Sequence, residues 1–401
     1  MMHVPFDLAS RRSYLEQEFP DGEYDRRVAA VRENMAREGL DALLIYCGPA
    51  SYANARWLTN YQAFYGTCFV VVRADGGLTV TTDGVLHGEP MHTMVWTCRE
   101  ADLRCAVGAI YGGAPDESAT LAADAAAPAR HIGLVGSSSI PGFLHAALAA
   151  RLPGLRRADA VVANARMIKS AEELARMEEA GRIADAAFGS VFETLAPGVE
   201  ETHVAAAAVA TMLRMGAIES FRTCVVGGRL AGLKHSYPRR RKLEAGEMVF
   251  LDLGASYRHY VSDTSRTCVV GPARPGEAAD LLAIGEDLYH AGLEEMRPGR
   301  TVDDVAQRLI RVVKGTRWEA DFCPTGFGHG IGMDLFEAPG GLFAGSRAVL
   351  QPGMTLAYEP MVVVEGLGTG VVEDSLVITE TGYRLLTDSP RPRAAPPVPG
   401  H

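Results

Sequence analysis

The sequence predicts an α+β protein in two parts, a smaller α/β domain followed by a larger domain made of two similar α/β halves. Three observations carry this expectation. In the first part a helical apolar face gives way to buried strand runs and a hairpin. In the second, "FETLAPGVEETHVAAAAVATML" and "LEEMRPGRTVDDVAQRLIRVVK", about a hundred residues apart, share a helix end, a Pro-Gly, an acidic start and a second helix. Each copy is followed by a histidine-bearing stretch, with His235 or His329, and then by a hairpin pattern with two carboxylates.

Taken in order, Val28, Val31 and Met35 share a helical face that ends at Gly39, and "DALLIY" switches to a buried strand signal. "TCFVVVRADGGLTVTTD" reads as a hairpin around Asp75-Gly76-Gly77. A further strand, "IGLVGS", precedes "LPGLRRADAV", where the first domain is expected to end, giving it residues 1–160. The second domain is expected over 165–388. It opens on a Ser170/Glu173 capping box and a long helix with Leu174, Met177, Ala180, Ala184 and Phe188 on one face, stopping before Pro197-Gly198. The proline-rich stretch 389–401 reads as a disordered or surface-lying tail.

The hairpins carry the chemistry. In "MVFLDLGASYRHYVSDTSRTCVV" a turn near Tyr257 and Arg258 places Asp252 opposite Asp263, Gly254 opposite Val261 and Ser256 opposite His259. Side chains alternate faces, so the two aspartates share one, about 4.5–5.5 Å apart at Cβ. Ionised carboxylates that close repel, and a cation would resolve the repulsion. In "MTLAYEPMVVVEGLGTGVVEDSLVIT", folding about the start of Gly366 to Gly370 places Glu359 opposite Glu373. Two such pairs, with His329 in a glycine-rich loop, supply the donors for two hard or borderline cations. Two metals about 3.5–4 Å apart make a hydrolytic centre. The bland alternative is carboxylates on solvated strand faces.

The whole chain bounds what such a centre serves. At 401 residues it is long enough for two cores, and 47% hydrophobic with 22% charged residues fits a soluble globular protein. A net charge of −10 argues against nucleic acid or an anionic membrane as the main partner. The basic run Arg239 to Lys242 reads as a solvated turn, or else as a guide for an anionic substrate. Seven cysteines without close pairing, no signal-peptide pattern and no apolar span predict reduced thiols and a cytoplasmic protein.

With these motifs in place, the second domain resembles the metallopeptidase family of methionine aminopeptidase, aminopeptidase P, prolidase and creatinase, whose catalytic domain is called the pita-bread fold. The resemblance covers roughly Ala160 to Leu386 and rests on "DLGASYRHYVSD", "GFGHGIG", "YEP" and "VED". The domain ahead of it resembles, more loosely, the N-terminal domain of the aminopeptidase P, prolidase and creatinase branch. The resemblance implies that Asp252 chelates one of two divalent ions (manganese, cobalt, iron or zinc), that Asp263 and Glu373 bridge both, and that His329 and Glu359 hold the second. It further implies a metal-bridging hydroxide as nucleophile, Glu359 as its general base, and His235 as the group that steadies the scissile bond or its tetrahedral intermediate. As a lone histidine, His235 also reads as a surface or capping residue.

Three departures bear on the substrate. Thr325 and Phe336 stand where peptidases of that branch usually carry histidines, and Val371 where they usually carry arginine; Met361 follows Pro360 where glycine is common. Fewer donors imply a small amide or dipeptide-like substrate rather than an ordinary Xaa-Pro peptide. His259 reads either as a polar contact at the rim or as a solvated turn residue. The branch is homodimeric, with a segment matching "ARWLTNYQAFYGTC" reaching the partner's site, so Trp57, Tyr61, Phe64 and Tyr65 are candidate substrate walls or else core aromatics. The expected activity is hydrolysis of a C–N bond. The alternatives are an Xaa-Pro peptidase proper, a small-molecule amidase in the manner of creatinase or ectoine hydrolase, a lyase on the same metals, and a binding module without catalysis.

Overall fold

A computed structural model of the chain describes residues 15–48, 51–62, 66–83, 94–100, 102–106, 115–232, 235–272 and 275–391. The chain divides into two compact units, Met1–Arg166 and Met167–His401.

In the first unit, α1 (Asp21–Arg37) is followed by β1 (Ala42–Cys47), α2 (Ala53–Thr59), β2 (Cys68–Arg73), β3 (Leu78–Asp83) and β4 (Leu103–Ala106). Then come α3 (Pro115–Ala126), β5 (Ile132–Val135), α4 (Gly142–Arg151), β6 (Leu155–Arg157) and α5 (Asp159–Met167). The strands form one mixed sheet in the order β4-β3-β2-β1-β5-β6. Val28, Val31 and Met35 are buried on one face of α1, and the helix gives out before Gly39, whose φ of 63° suits the residue without a Cβ. Central strand β1 is buried at every position, as a continuous apolar run requires.

The second unit repeats a motif. Helices α6 (Ala171–Thr194) and α7 (Glu201–Arg214) precede β7 (Glu219–Gly227), β8 (Met248–Tyr257), β9 (Tyr260–Val261) and β10 (Thr264–Val269). Helices α8 (Glu277–Leu293) and α9 (Val302–Val313) precede β11 (Gly328–Gly330), β12 (Glu337–Gly341), β13 (Thr355–Tyr358), β14 (Met361–Val364), β15 (Gly368–Val371), β16 (Asp374–Ile378) and β17 (Tyr383–Leu385). Corresponding turns match closely. Gly198 and Gly299, each after a proline, have φ of 85° and 82°, and their amides bond to Leu243 O at 2.8 Å and Leu350 O at 3.0 Å. Isolated bridges Glu200↔Lys242 and Thr301↔Val349 follow at equivalent positions. The Ser170/Glu173 capping box caps α6, and Thr301/Asp304 does the same for α9. Such caps are each worth about 1 kcal/mol.

Strand β8 divides the interior. Its odd positions Val249, Leu251, Leu253 and Ala255 pack with α6 and α7, including Ile183, Ala184 and Phe188. Even positions Met248 and Phe250 join the other core, with α8, α9, β13 and β16. Asp252 and Gly254 continue that even face, so the alternation that builds both cores also aims Asp252 between the halves.

The two hairpins depart differently from the expected pairing. In the first, Tyr257 pairs with Tyr260 and Asp252 with Ser265, a shift of two residues. The turn is Arg258-His259, with φ of 48° and 69°, the two-residue arrangement that suits the twist of a hairpin. A shift of two preserves the face, so Asp252 and Asp263 remain on one side. His259 belongs to the turn rather than to a position opposite Ser256, which corrects its expected place beside the aspartates. In the second hairpin, Tyr358 pairs with Asp374 and Met361 with Val371, so Glu359 falls opposite Glu373 as expected. Its turn is 365–367, however, and Gly368 to Gly370 lie within β15.

Two further expectations are corrected. Trp57 and Tyr61 are fully buried, and the Tyr61 hydroxyl is hydrogen-bonded to Thr82 at 2.6 Å, so both are core aromatics rather than substrate walls. Phe64 and Tyr65 lie outside the described residues. The proline-rich tail is anchored at its start: Ser389 is buried, and the chain from 392 on lies outside the described residues.

Candidate metal centre

Asp263 and Glu373 each sit where a strand ladder opens. Asp263 lies between β9 and β10, and its amide leaves its own hairpin to bond Ser375 Oγ at 3.0 Å. The same hydroxyl donates to Asp263 O at 2.9 Å. Glu373 lies between β15 and β16, and its amide donates to Ser265 O at 3.1 Å. Thr264 Oγ1 donates to Glu373 O at 2.9 Å. The two hairpins are therefore stitched together through the backbones of Asp263 and Glu373. Gly254 lets the segment between β9 and β10 lie close against β8, because a Cβ there would lie 1.9 Å from Ser262 O.

His329 enters on β11, paired with Ala357 of β13 and, through a bulge, with Gly341 of β12. Donor atoms of Asp263, His329 and Glu373, all buried, lie within 4.8 Å of one another. His329 Nδ1 is 3.1 Å from Gly330 O, which can only accept, so Nδ1 carries the proton and Nε2 faces the carboxylates, 3.5 Å from Asp263 Oδ2. Burial, then the charge of Asp252, pushes the Asp263 carboxyl well above the usual carboxylate range. Burial alone would depress His329, but the bond to Asp263, the charges of Asp263 and Glu359 and the contact with Gly330 O together outweigh it and hold the imidazole above its ordinary value. In the metal-free chain a proton is thus stabilised between these groups, in a place where a cation would do the same electrostatic work.

Asp252 lies at the other side of the cluster. Its Oδ1 is buried without a hydrogen-bond partner, and its Oδ2 is 3.4 Å from His235 Nε2. An unpaired buried carboxylate oxygen is costly unless something positive meets it. Glu359 is half-buried, and its amide bonds to Phe327 O at 3.0 Å, on the chain leading into His329. Four carboxylates and one imidazole, with one oxygen left unpaired, form a donor set suited to hard or borderline divalent cations.

The remaining candidates fall into two groups. His235 is near the centre with half its side chain exposed, its ring edge-on to Phe250. Phe336 is also near: its ring centroid is 4.3 Å from that of His329, and it is 60% exposed, so it presents an aromatic face to solvent beside a candidate ligand. Thr325 is exposed, its hydroxyl 3.5 Å from Cys323 Sγ. Val371 is 2% exposed and packs in the core, which corrects its expected role as a substrate contact. The basic run is corrected as well. Arg239 makes a two-pronged pair with fully buried Glu201, and Arg241 pairs with Glu247, so these charges fasten the segment after His235 rather than stand free. Sequence reading took Glu201 only as part of the acidic start of a helix, with Glu200, and missed its pairing with the basic run.

Comparison with known proteins agrees with this architecture. Residues 175–380 match metallopeptidase family M24, and residues 27–168 match the creatinase/prolidase N-terminal domain. A Bacillus subtilis protein named uncharacterized peptidase YqhT is 36% identical over 227 residues, 56% of this chain and 64% of that relative. The match therefore spans less than two thirds of that relative's length. An Xaa-Pro dipeptidase of Pyrococcus furiosus is 31% identical over 238 residues, 59% of this chain and 67% of its own. The solved Xaa-Pro dipeptidase of Bacillus anthracis superposes with a TM-score of 0.78 at 25% identity, covering 92% of this chain and 99% of its own. The prolidase of Pyrococcus horikoshii, also at 0.78 but 24% identical over 91% and 99% of the two chains, has the same fold. The domain that brings Asp263, His329 and Glu373 together is the pita-bread fold, and the chain belongs to metallopeptidase family M24, with the creatinase/prolidase N-terminal domain ahead of it.

Proposed function

We propose that the chain is a metal-dependent hydrolase that cleaves the C–N bond of a small amide or dipeptide-like substrate. The convergence of Asp263, His329 and Glu373 within 4.8 Å carries this reading, with the unpaired Asp252 Oδ1 beside them. Asp252 would hold one divalent ion, His329 and Glu359 a second, and Asp263 and Glu373 both. Bound ions supply a nucleophile at neutral pH and Lewis-acid polarisation of the scissile carbonyl. Glu359, half-buried at the edge of the cluster, takes up a proton at its carboxylate and delivers it to the leaving nitrogen. His235, exposed on one side and anchored through Arg239 and Glu201, donates to the substrate oxygen on which charge develops. Phe336 covers one side of His329 and favours an apolar substrate group there.

A second reading, Xaa-Pro dipeptidase proper, is favoured by relatives bearing that name at 25–31% identity. One experiment addresses both. Metal content and turnover of Xaa-Pro dipeptides and of small non-peptide amides are measured on wild type and Asp263→Ala. Retained activity in Asp263→Ala would sink the metal mechanism, and rapid proline release would select the dipeptidase.

A further inference from the structure

Behind Glu373 lies a buried polar cluster that the reaction does not touch. Arg266, 1% exposed, stands three residues after Asp263 in β10. Its Nη1 donates to Glu373 O at 2.5 Å and to Ser265 O at 2.9 Å. Its Nη2 donates to Asp374 Oδ1 at 2.9 Å and to Ser389 O at 2.9 Å. Asp374, also 1% exposed, receives the Tyr289 hydroxyl on its other oxygen at 2.6 Å, and Thr387 Oγ1 on the first at 2.8 Å.

The arrangement has a direction. Both backbone groups of Glu373 are bound to the strand that carries Asp263, its amide by Ser265 O and its carbonyl by Thr264 and Arg266. Arg266 joins that strand to Asp374 and to Ser389 in the chain's last described segment at once, and Thr264 Oγ1 also reaches Ser389 Oγ at 3.4 Å. A planar guanidinium can serve four acceptors in fixed directions; an ammonium on a flexible stem cannot. We infer that Arg266 is a positioning residue of the metal centre, setting the separation of Asp263 and Glu373 and hence the affinity for a second ion between the halves. Asp374, steadied by Tyr289, orients it.

This rests on the metal reading above, and the test separates the two. Full-length metal-free wild type, Arg266→Lys and Tyr289→Phe are titrated with Co(II), following the visible d–d absorption and the heat of each step, with thermal melts run in parallel. Wild type is expected to bind two equivalents. Arg266→Lys is expected to weaken the second step about 10–100-fold with an altered d–d band, the usual effect of losing an outer partner of a ligand. Tyr289→Phe, which removes one hydrogen bond and leaves the ion pair, is expected to weaken that step about 5-fold. If Arg266→Lys does not fold, Tyr289→Phe decides. Variants that melt earlier but bind both ions as wild type does overturn the inference and leave the metal centre standing. Wild type that binds no Co(II) overturns the metal centre and this inference with it.

Discussion

In the second hairpin Glu359 and Glu373 face each other along one continuous register, whereas in the first Asp252 faces Ser265 and Asp263 lies two residues off. Both arrangements keep the carboxylates on one side, because the shift is even. The offset has a use in packing. It leaves Asp263 opposite Gly254, where its backbone turns away to Ser375 of the other hairpin, while Glu373 turns back to Ser265. Both ladders open only locally, at 262–263 in the first and at 359–360 and 372–373 in the second, and each resumes in the same register. What the two halves share is therefore the facing, not the pairing.

The largest effects should come from the shared cluster. Asp263→Ala and Glu373→Ala are each expected to lower kcat/KM on the order of 10²–10³-fold or more, with metal content by elemental analysis falling in both. A loss confined to one of the two would break the equivalence of the hairpins. His235→Ala should lower kcat by about 10²-fold or more while metal content stays at the wild-type level, since its half-exposed imidazole is not among the five candidate ligands. Gly254→Ala is expected to cost about 2–4 kcal/mol in a denaturant melt, because backbone rather than a flexible side chain blocks the new Cβ. Gly366→Ala, in the turn of the second hairpin, has open space around it and only a φ of 78° to oppose, so its cost should be about 1 kcal/mol. Equal costs would mean that the offset of the first hairpin is not a packing requirement.

pH offers a subtler probe. Asp263 has its pKa raised in the metal-free fold, so the native state holds a proton that the unfolded chain releases. Its contribution to stability is present below the usual carboxylate range and is lost as pH rises through the raised value. Metal-free wild type should thus lose stability over that window relative to Asp263→Asn, as followed by melts at successive pH values. A divalent ion should remove the difference.

How much of this could be read from residues alone follows turn chemistry. The second hairpin came out in register because its turn contains Gly366, which marks where the chain reverses. The first slipped by two because Arg258 and His259 adopt left-handed backbone with no glycine or asparagine to announce it. Alternation survived the slip, so the ligand face was legible although the pairing was not. Val371 was misplaced because its neighbour Glu373 is a candidate ligand, while strand parity and a full core decide its surroundings. Arg266 and Asp374 were overlooked entirely. Their signal was there, since a charge inside each of two otherwise buried strands demands a partner, but nothing in the spacing says that they are each other's.

The anchoring of Ser389 has a consequence for how the protein is made. Every candidate ligand has left the ribosome once Glu373 emerges, yet Arg266 has its last acceptor only when Ser389 follows. Until then the nascent chain carries all five candidate donors while Arg266 is short of one of its four acceptors. A chain cut short after its last candidate ligand would be released with all five candidate donors but without that final contact.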